Sequence, residues 1–280
     1  MKFPSYLAVP AHDLGKGTRV KVRVLGDMMS LGRDLASDIK AEIIGVNQSG
    51  RGGNFIVPVG PVDQYPLLAQ MLNEERISCR NVVFIGMDEY LDEQDMWLAE
   101  DHPLSFRGYL NRMFYDRLDK AVAPPPENRV FPDPRDPGAV PELIARRGGV
   151  DACYGGIGIT GHIAFNEPPP SDAPMTVEAF AALPTRVLTL TCETRTINSV
   201  TVGGEIAIIP RRAVTVGMKE ILGARRLRLY CNRPWQSSVV RRVLHGPITA
   251  ACPASLMRTH ADATLTVADY VAAPPNIQLR

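Results

Sequence analysis

The stretch GGIGITGHIAFNEPPPS, residues 155–171, follows a strand-like segment, DACYGG, and places a run of glycines, His162 and Glu167 within thirteen positions. Glycine lets backbone approach a ligand closely, and general acid/base work needs an imidazole held still. The stretch therefore reads as an active-site loop at the end of a strand. A glycine-rich turn in which His162 only caps a helix is the other reading of the same residues.

Working outward, the chain alternates strand and helix on both sides of this loop. RVKVRV is an alternating basic and apolar run that leads into Met29, Leu31, Leu35, Ile39 and Ile43 at close to helical spacing. NFIVPV is a buried-type strand, broken at Gly60-Pro61 and followed by an amphipathic helix, whose N-terminus can face an anion. NVVFIG suits a parallel strand, and the acidic residues Asp88, Glu89, Asp92, Glu93 and Asp95 begin where it stops. Ligands of open α/β sheets sit outside the carboxyl ends of the strands, so Asp88 is the carboxylate placed to act and most of its acidic neighbours belong to a solvated loop.

Phe106, Leu110, Met113, Phe114 and Leu118 mark a helix with a core-facing side. The proline-rich segment APPPENRVFPDPRDPGAVPELIARRGGVD is excluded from continuous helix and from a central strand, and reads as a surface connection ending in a short helix. Beyond the focal loop come a strand at VLTLT that leads to Arg195, a strand around Ala213 to Val216, a helix around Lys219, the strand RLRLYC, a helix over SSVVRRVLHGPI, and a terminal strand, ATLTVADYVAA. Arg195 and Arg211, near strand ends beside the loop, suit a phosphate or carboxylate through forked hydrogen bonds. The expected fold is α/β: one domain over residues 1–280 with a doubly wound, mostly parallel sheet and helices on both faces, Rossmann-like.

Composition narrows the function. A net charge of +1 gives no reason to expect nucleic acid or an anionic membrane surface, and 45% hydrophobic with 22% charged residues is ordinary for a globular chain. No apolar run is long enough to span a membrane and the start lacks a secretory signal, so a cytoplasmic protein is expected. Cys79, Cys153, Cys192, Cys231 and Cys252 form no CxxC pair and are expected to be buried small hydrophobes, with a nucleophilic Cys153 the lesser alternative. No cluster has metal-ligand spacing, and neither a metal nor another cofactor is expected.

With these residues set out, the chain resembles the glucosamine-6-phosphate deaminase/isomerase family. The matching segments occur in the family's order: GMDEYLDEQ with HPLSFRGYL, GGIGITGHIAFNEP, LTLTCETRTINS, IPRRAVTVGMKEIL and GPITAACPASLMRTHADATLTVADY. The related 6-phosphogluconolactonases share the GH but usually not the FNEP continuation. The resemblance implies that Asp88 shuttles a proton between C2 and C1 of the opened sugar, that His162 is the ring-opening acid/base, and that Glu167 orients it. It implies phosphate contacts from Arg195 and, in place of a lysine, Arg211, with Gly60, Thr160 and Gly161 lining the substrate site. It implies a small-molecule sugar or sugar phosphate as the partner, and a homo-oligomer.

Two departures qualify this. Thr160 stands where the family carries an acidic residue, and a hydroxyl cannot hold an imidazolium by charge. The turn PVGPVDQYP replaces a hydroxyl-rich phosphate cradle: Pro58 and Pro61 lack N–H donors, Val57, Val59 and Val62 lack hydroxyls, and Asp63 adds negative charge. At the position where the best-known members bind an effector, Arg186 is present but Leu188 stands in place of a lysine. An enzyme acting on an unphosphorylated or acidic sugar, a lactone hydrolase using His162 to activate water, and a non-catalytic sugar sensor are the competing functions.

Overall fold

The computed structural model describes residues 2–60 and 63–278. After short 3-10 turns, the chain forms β1 (Lys21–Leu25), α1 (Met28–Ser49), β2 (Gly53–Val57), α2 (Gln64–Glu74) and β3 (Val82–Gly86). Helix α1 starts where the Asp27 side chain accepts from Ser30 N, stops at Gly50 in the left-handed region, and buries Leu31, Leu35, Ile39, Ile43 and Val46. Then come β4 (Asp88–Leu91), α3 (Phe106–Met113), β5 (Arg129–Val130), α4 (Ala139–Arg146) and β6 (Ala152–Gly155). The C-terminal half holds α5 (Val177–Ala181), β7 (Arg186–Thr189), α6 (Cys192–Ser199), β8 (Arg212–Thr215), α7 (Met218–Leu222), β9 (Arg226–Cys231), α8 (Gln236–His245), β10 (Ala263–Ala268) and α9 (Asp269–Ala272).

Among the described residues one sheet runs in the order β1-β10-β9-β6-β2-β3-β5 with every pair parallel. Strands β2 and β3 are buried along their whole length, the signature of a sheet covered on both faces. The winding goes from β2 outward through β3 and β5, then returns to β6 on the other side of β2. That reversal opens a crevice at the carboxyl ends of β2 and β6, where an open α/β sheet binds its ligand. The fold is α/β, as the alternation of apolar runs required.

A second sheet, β4-β8-β7, is antiparallel and was not legible in that alternation. Met87 joins the two sheets: its N–H donates to Val57 O at 2.9 Å and its carbonyl accepts from Val216 N at 2.8 Å. Asp88 and Glu89 therefore lie in a strand, and Glu89 is fully buried where a solvated loop was expected. Other differences are local. The proline-rich connection supplies the two-residue edge strand β5, which needs few ladder donors. The helix expected through Leu118 stops at Met113 and gives way to a 3-10 turn at Tyr115–Arg117. The last strand stops at Ala268, and Asp269 opens α9. Cys192 is exposed, while the other four cysteines are buried as expected.

Tertiary ties are polar as well as apolar. Arg241 of α8 is completely buried, has no carboxylate partner among the described residues, and donates to Val9 O, Ser237 O and Ala272 O. One guanidinium thus holds the N-terminal segment and α9 against α8, using its fan of donors on carbonyls left over at segment ends.

Candidate active site

His162 follows β6 through a turn that only glycine accommodates at two points. Gly161 has φ +87, and a Cβ there would stand 2.7 Å from Cys252 Sγ. A Cβ on Gly158 would stand 1.8 Å from His162 Nε2, so the imidazole lies directly against backbone. Gly161 N donates to Gly158 O, and Gly158 N donates to His162 O, closing the turn on itself. No helix begins at His162, so His162 is not a helix cap.

The other face of the ring is polar. His162 Nδ1 lies 2.8 Å from Thr160 Oγ1, 3.2 Å from Glu167 Oε2 and 3.4 Å from Thr194 Oγ1. Thr160 Oγ1 is also 3.0 Å from Glu167 Oε2, and the second carboxylate oxygen, Oε1, accepts from Thr191 N and Thr191 Oγ1. Burial raises the Glu167 pKa, but the hydrogen bond and charge of His162 outweigh it, and the carboxyl lies below its ordinary value. Thr191 is the N-cap of α6, so Glu167 also faces the donor end of that helix. Asn166 locks the loop from behind, donating to Ile163 O and Val216 O while accepting from Arg186 Nη1.

Asp88 lies on β4, in the three-stranded sheet. It is opposite Thr215 of β8, whose hydroxyl accepts from Phe165 N, three residues beyond His162. Its pKa is pushed up to about 8, first by burial and then by the neighbouring charge of Glu89. Glu89 itself is held on the N-terminus of α3, accepting from Phe106 N, Arg107 N and Ser105 Oγ. Burial raises the Glu89 pKa as well, against the hydrogen bonds from Arg107, Phe106, Tyr90 and Ser105 that lower it, whereas among the described residues Asp88 has no such donors.

The remaining sequence candidates divide. Arg195 sits in α6, one residue beyond Thr194, but its guanidinium donates to Ile209 O and Ile206 O rather than lying free. Arg211 is exposed, and among the described residues its side chain makes no hydrogen bond or ion pair. The next arginine, Arg212, pairs with Asp95. Gly60 is exposed with open space where a Cβ would stand, so nothing local demands glycine there. Pro58 keeps its carbonyl in use, accepting from the Tyr65 hydroxyl, while Pro61 and Val62 of the altered turn lie outside the described residues. Thr160 turns toward His162 and Glu167. Burial drives the Cys153 thiol far up, which leaves no nucleophile there. Arg186 and Leu188 line a groove of about 430 Å³ with Pro168, Met175, Phe180 and Leu183 beside Glu167. Its walls are mostly apolar, and the Arg186 pKa is lowered by burial.

Sequence reasoning missed Glu89, Thr191, Thr194 and Asn166. The TCET pattern at residues 191–194, a threonine three positions before another ahead of a helix, carried the cap signal. Nothing local distinguished Glu89 from the acids after it.

Known proteins resemble this chain in sequence and in fold. No family model matches the chain. A glucosamine-6-phosphate deaminase of Exiguobacterium sibiricum is 32% identical over 201 residues, 71% of this chain and 73% of the relative. A glucosamine-6-phosphate deaminase of Pseudoalteromonas translucida is 28% identical over 251 residues, 89% and 87% of the two chains. A solved monomeric glucosamine-6-phosphate deaminase superposes with a TM-score of 0.76 at 26% identity, covering 90% of this chain and 99% of its own. The 6-phosphogluconolactonase of Trypanosoma brucei shares the fold, with a TM-score of 0.65 at 16% identity. Identity at this level, spread across most of both chains and joined to the buried Asp88 and the His162–Glu167 pair, places the chain in the glucosamine-6-phosphate deaminase family.

Proposed function

We propose that this protein converts a 2-amino-2-deoxy aldose phosphate, glucosamine 6-phosphate in the first instance, to the ketose phosphate with release of ammonia. The observation that carries it is the pairing of His162 with Glu167, tied through the Phe165–Thr215 hydrogen bond to the strand pair that holds Asp88, a buried carboxyl pushed up to about 8. His162, through the ring nitrogen not engaged by Glu167, moves a proton onto the ring oxygen as the hemiacetal opens. Asp88 takes the proton from C2 and returns it to C1, while an amine proton passes to O1, turning the aldehyde and amine into a hydroxymethyl ketimine. Water adds to the C2=N bond and ammonia leaves, so atoms balance as amino sugar plus water to ketose plus ammonia. A carboxyl near 8 suits both halves of the C2-to-C1 transfer, because it gives up and regains a proton at little cost near neutrality. Arg195 and Arg211 are the cations offered to the phosphate, with Arg195 first giving up its carbonyl partners on residues 206–209.

Ammonia release from glucosamine 6-phosphate, with free glucosamine run in parallel, tests the proposal. Release from the phosphate and a loss of about a hundredfold or more in Asp88→Asn are expected. Release from neither sugar, with Asp88→Asn binding both as the parent does in thermal shift, sinks it.

A further inference from the structure

The oxygens around His162 Nδ1 leave few ways to place their protons. We propose that Thr160 is a positioning residue: its hydroxyl bridges Glu167 and His162, holds the neutral imidazole as the Nδ1–H tautomer, and leaves Nε2 as the nitrogen that exchanges protons with a ligand. The kinetic part rests on the deaminase reading above; the tautomer part does not.

The distances carry this. Thr160 Oγ1 is 2.8 Å from Nδ1 and 3.0 Å from Glu167 Oε2, and Oε2 is itself 3.2 Å from Nδ1. A hydroxyl has one proton. If it went to Nδ1, the Thr160 oxygen would face a carboxylate oxygen across 3.0 Å with no hydrogen between them, and the same carboxylate would face a used nitrogen lone pair. If instead Nδ1 carries the proton, it donates to Thr160 Oγ1 and Glu167 Oε2, while the hydroxyl donates to Oε2. Every contact of the triangle is then attractive. Thr194 Oγ1, 3.4 Å from Nδ1, closes the remaining side. A Cβ on Gly158 would stand 1.8 Å from Nε2, so glycine there keeps a side chain off the edge of the ring that faces away from Thr160. Glu167 is kept in place in turn by Thr191, leaving Oε2 directed at this pair. Thr160 thus acts through His162, and the structure directs its hydroxyl at the imidazole and carboxylate, a positioning role in place of the substrate contact expected from sequence.

Nitrogen-15 NMR of the histidine rings separates the two tautomers, and His162→Gln assigns the signal among the five histidines. The parent is expected to show His162 as Nδ1–H at pH values where it is neutral; an Nε2–H ring overturns the proposal. For kinetics, Thr160→Val is expected to lower kcat by about ten- to a hundredfold with little change in KM, because the ring loses its alignment rather than the site its substrate. Thr160→Ser, which keeps the hydroxyl, should restore most of that loss. A Thr160→Val enzyme with the parent's kcat, or a Thr160→Ser enzyme as slow as the valine variant, overturns it. Should the parent release no ammonia, the deaminase reading falls and the ring spectra of Thr160→Val and Thr160→Ser decide Thr160. Mixed tautomers in the first and Nδ1–H in the second are expected, and Nδ1–H in both assigns the tautomer to Glu167 alone and overturns the proposal. Thr160→Ala takes the place of the valine variant if that one fails to fold.

Discussion

Asp88 and Glu89 are neighbours in sequence with opposite fates. In β4 they point to opposite faces, as strand residues must, and only Glu89 meets the N–H groups at the start of α3. Glu89 is satisfied and its charge remains as a field on Asp88, whose pKa stands near 8. In the free protein Asp88 is mostly protonated at pH 7 and ionises as pH rises through that value. Proton removal from C2 needs the carboxylate, so kcat/KM is expected to rise with pH across this interval. Glu89→Gln removes the second cause of the shift, and its acidic limb should move toward lower pH in a pH–rate profile. A limb that stays in place would assign the titration to another group.

Helix α1 carries an acidic stripe, Asp34, Asp38 and Glu42, at a spacing of four, beside its apolar face. It meets the sheet face that presents Arg23, Arg226, Arg228 and Tyr230. Asp34 pairs with Arg23 and accepts from the Tyr230 hydroxyl, Glu42 pairs with Arg226, and Arg228 pairs with Asp262. Asp38 is the member left over: its Oδ2 is buried with no hydrogen-bond partner among the described residues, as is the Tyr154 hydroxyl. The two face each other without close hydrogen-bond geometry, and burial raises the Asp38 pKa despite the Tyr154 hydroxyl and the nearby arginines. A raised folded-state pKa means that ionising Asp38 costs folding free energy above that pKa and nothing below the unfolded value. Asp38→Asn should therefore stabilise the protein at pH 7 to 8, on the order of 1 kcal/mol in urea unfolding, with the gain fading toward pH 3. A variant no more stable than the parent at neutral pH would mean that the arginines outweigh the burial.

Across the whole molecule, stability is unevenly shared. The large core surrounds the seven-stranded sheet, whereas Tyr90, Leu98, Phe165, Leu190, Ile209 and Ala213 form a separate small cluster under the three-stranded sheet. Phe165 belongs to that small cluster, so the loop bearing His162 is anchored partly on the weaker side. Amides of β7, β8 and α6 are expected to exchange hydrogen faster than those of β2, β3 and β10, through openings of lower free energy. Equal protection in both sheets would make the small cluster part of one cooperative unit.

The alternation of apolar strands with amphipathic helices was enough to specify an α/β sheet, because each run reports its own burial through its spacing. The loop with His162 and Glu167 was readable for a similar reason: its chemistry and its glycines lie within thirteen residues. Partners brought from afar were not. Thr191 reaches Glu167 from 24 positions away, and Asp88 pairs across strands with Thr215. Arg195, marked in sequence as a phosphate ligand, has its guanidinium taken by two carbonyls of a neighbouring segment. Periodicity fixes which side of an element is buried, but the atoms a buried carboxylate or guanidinium meets depend on how crossovers stack distant elements, and only the folded chain sets that.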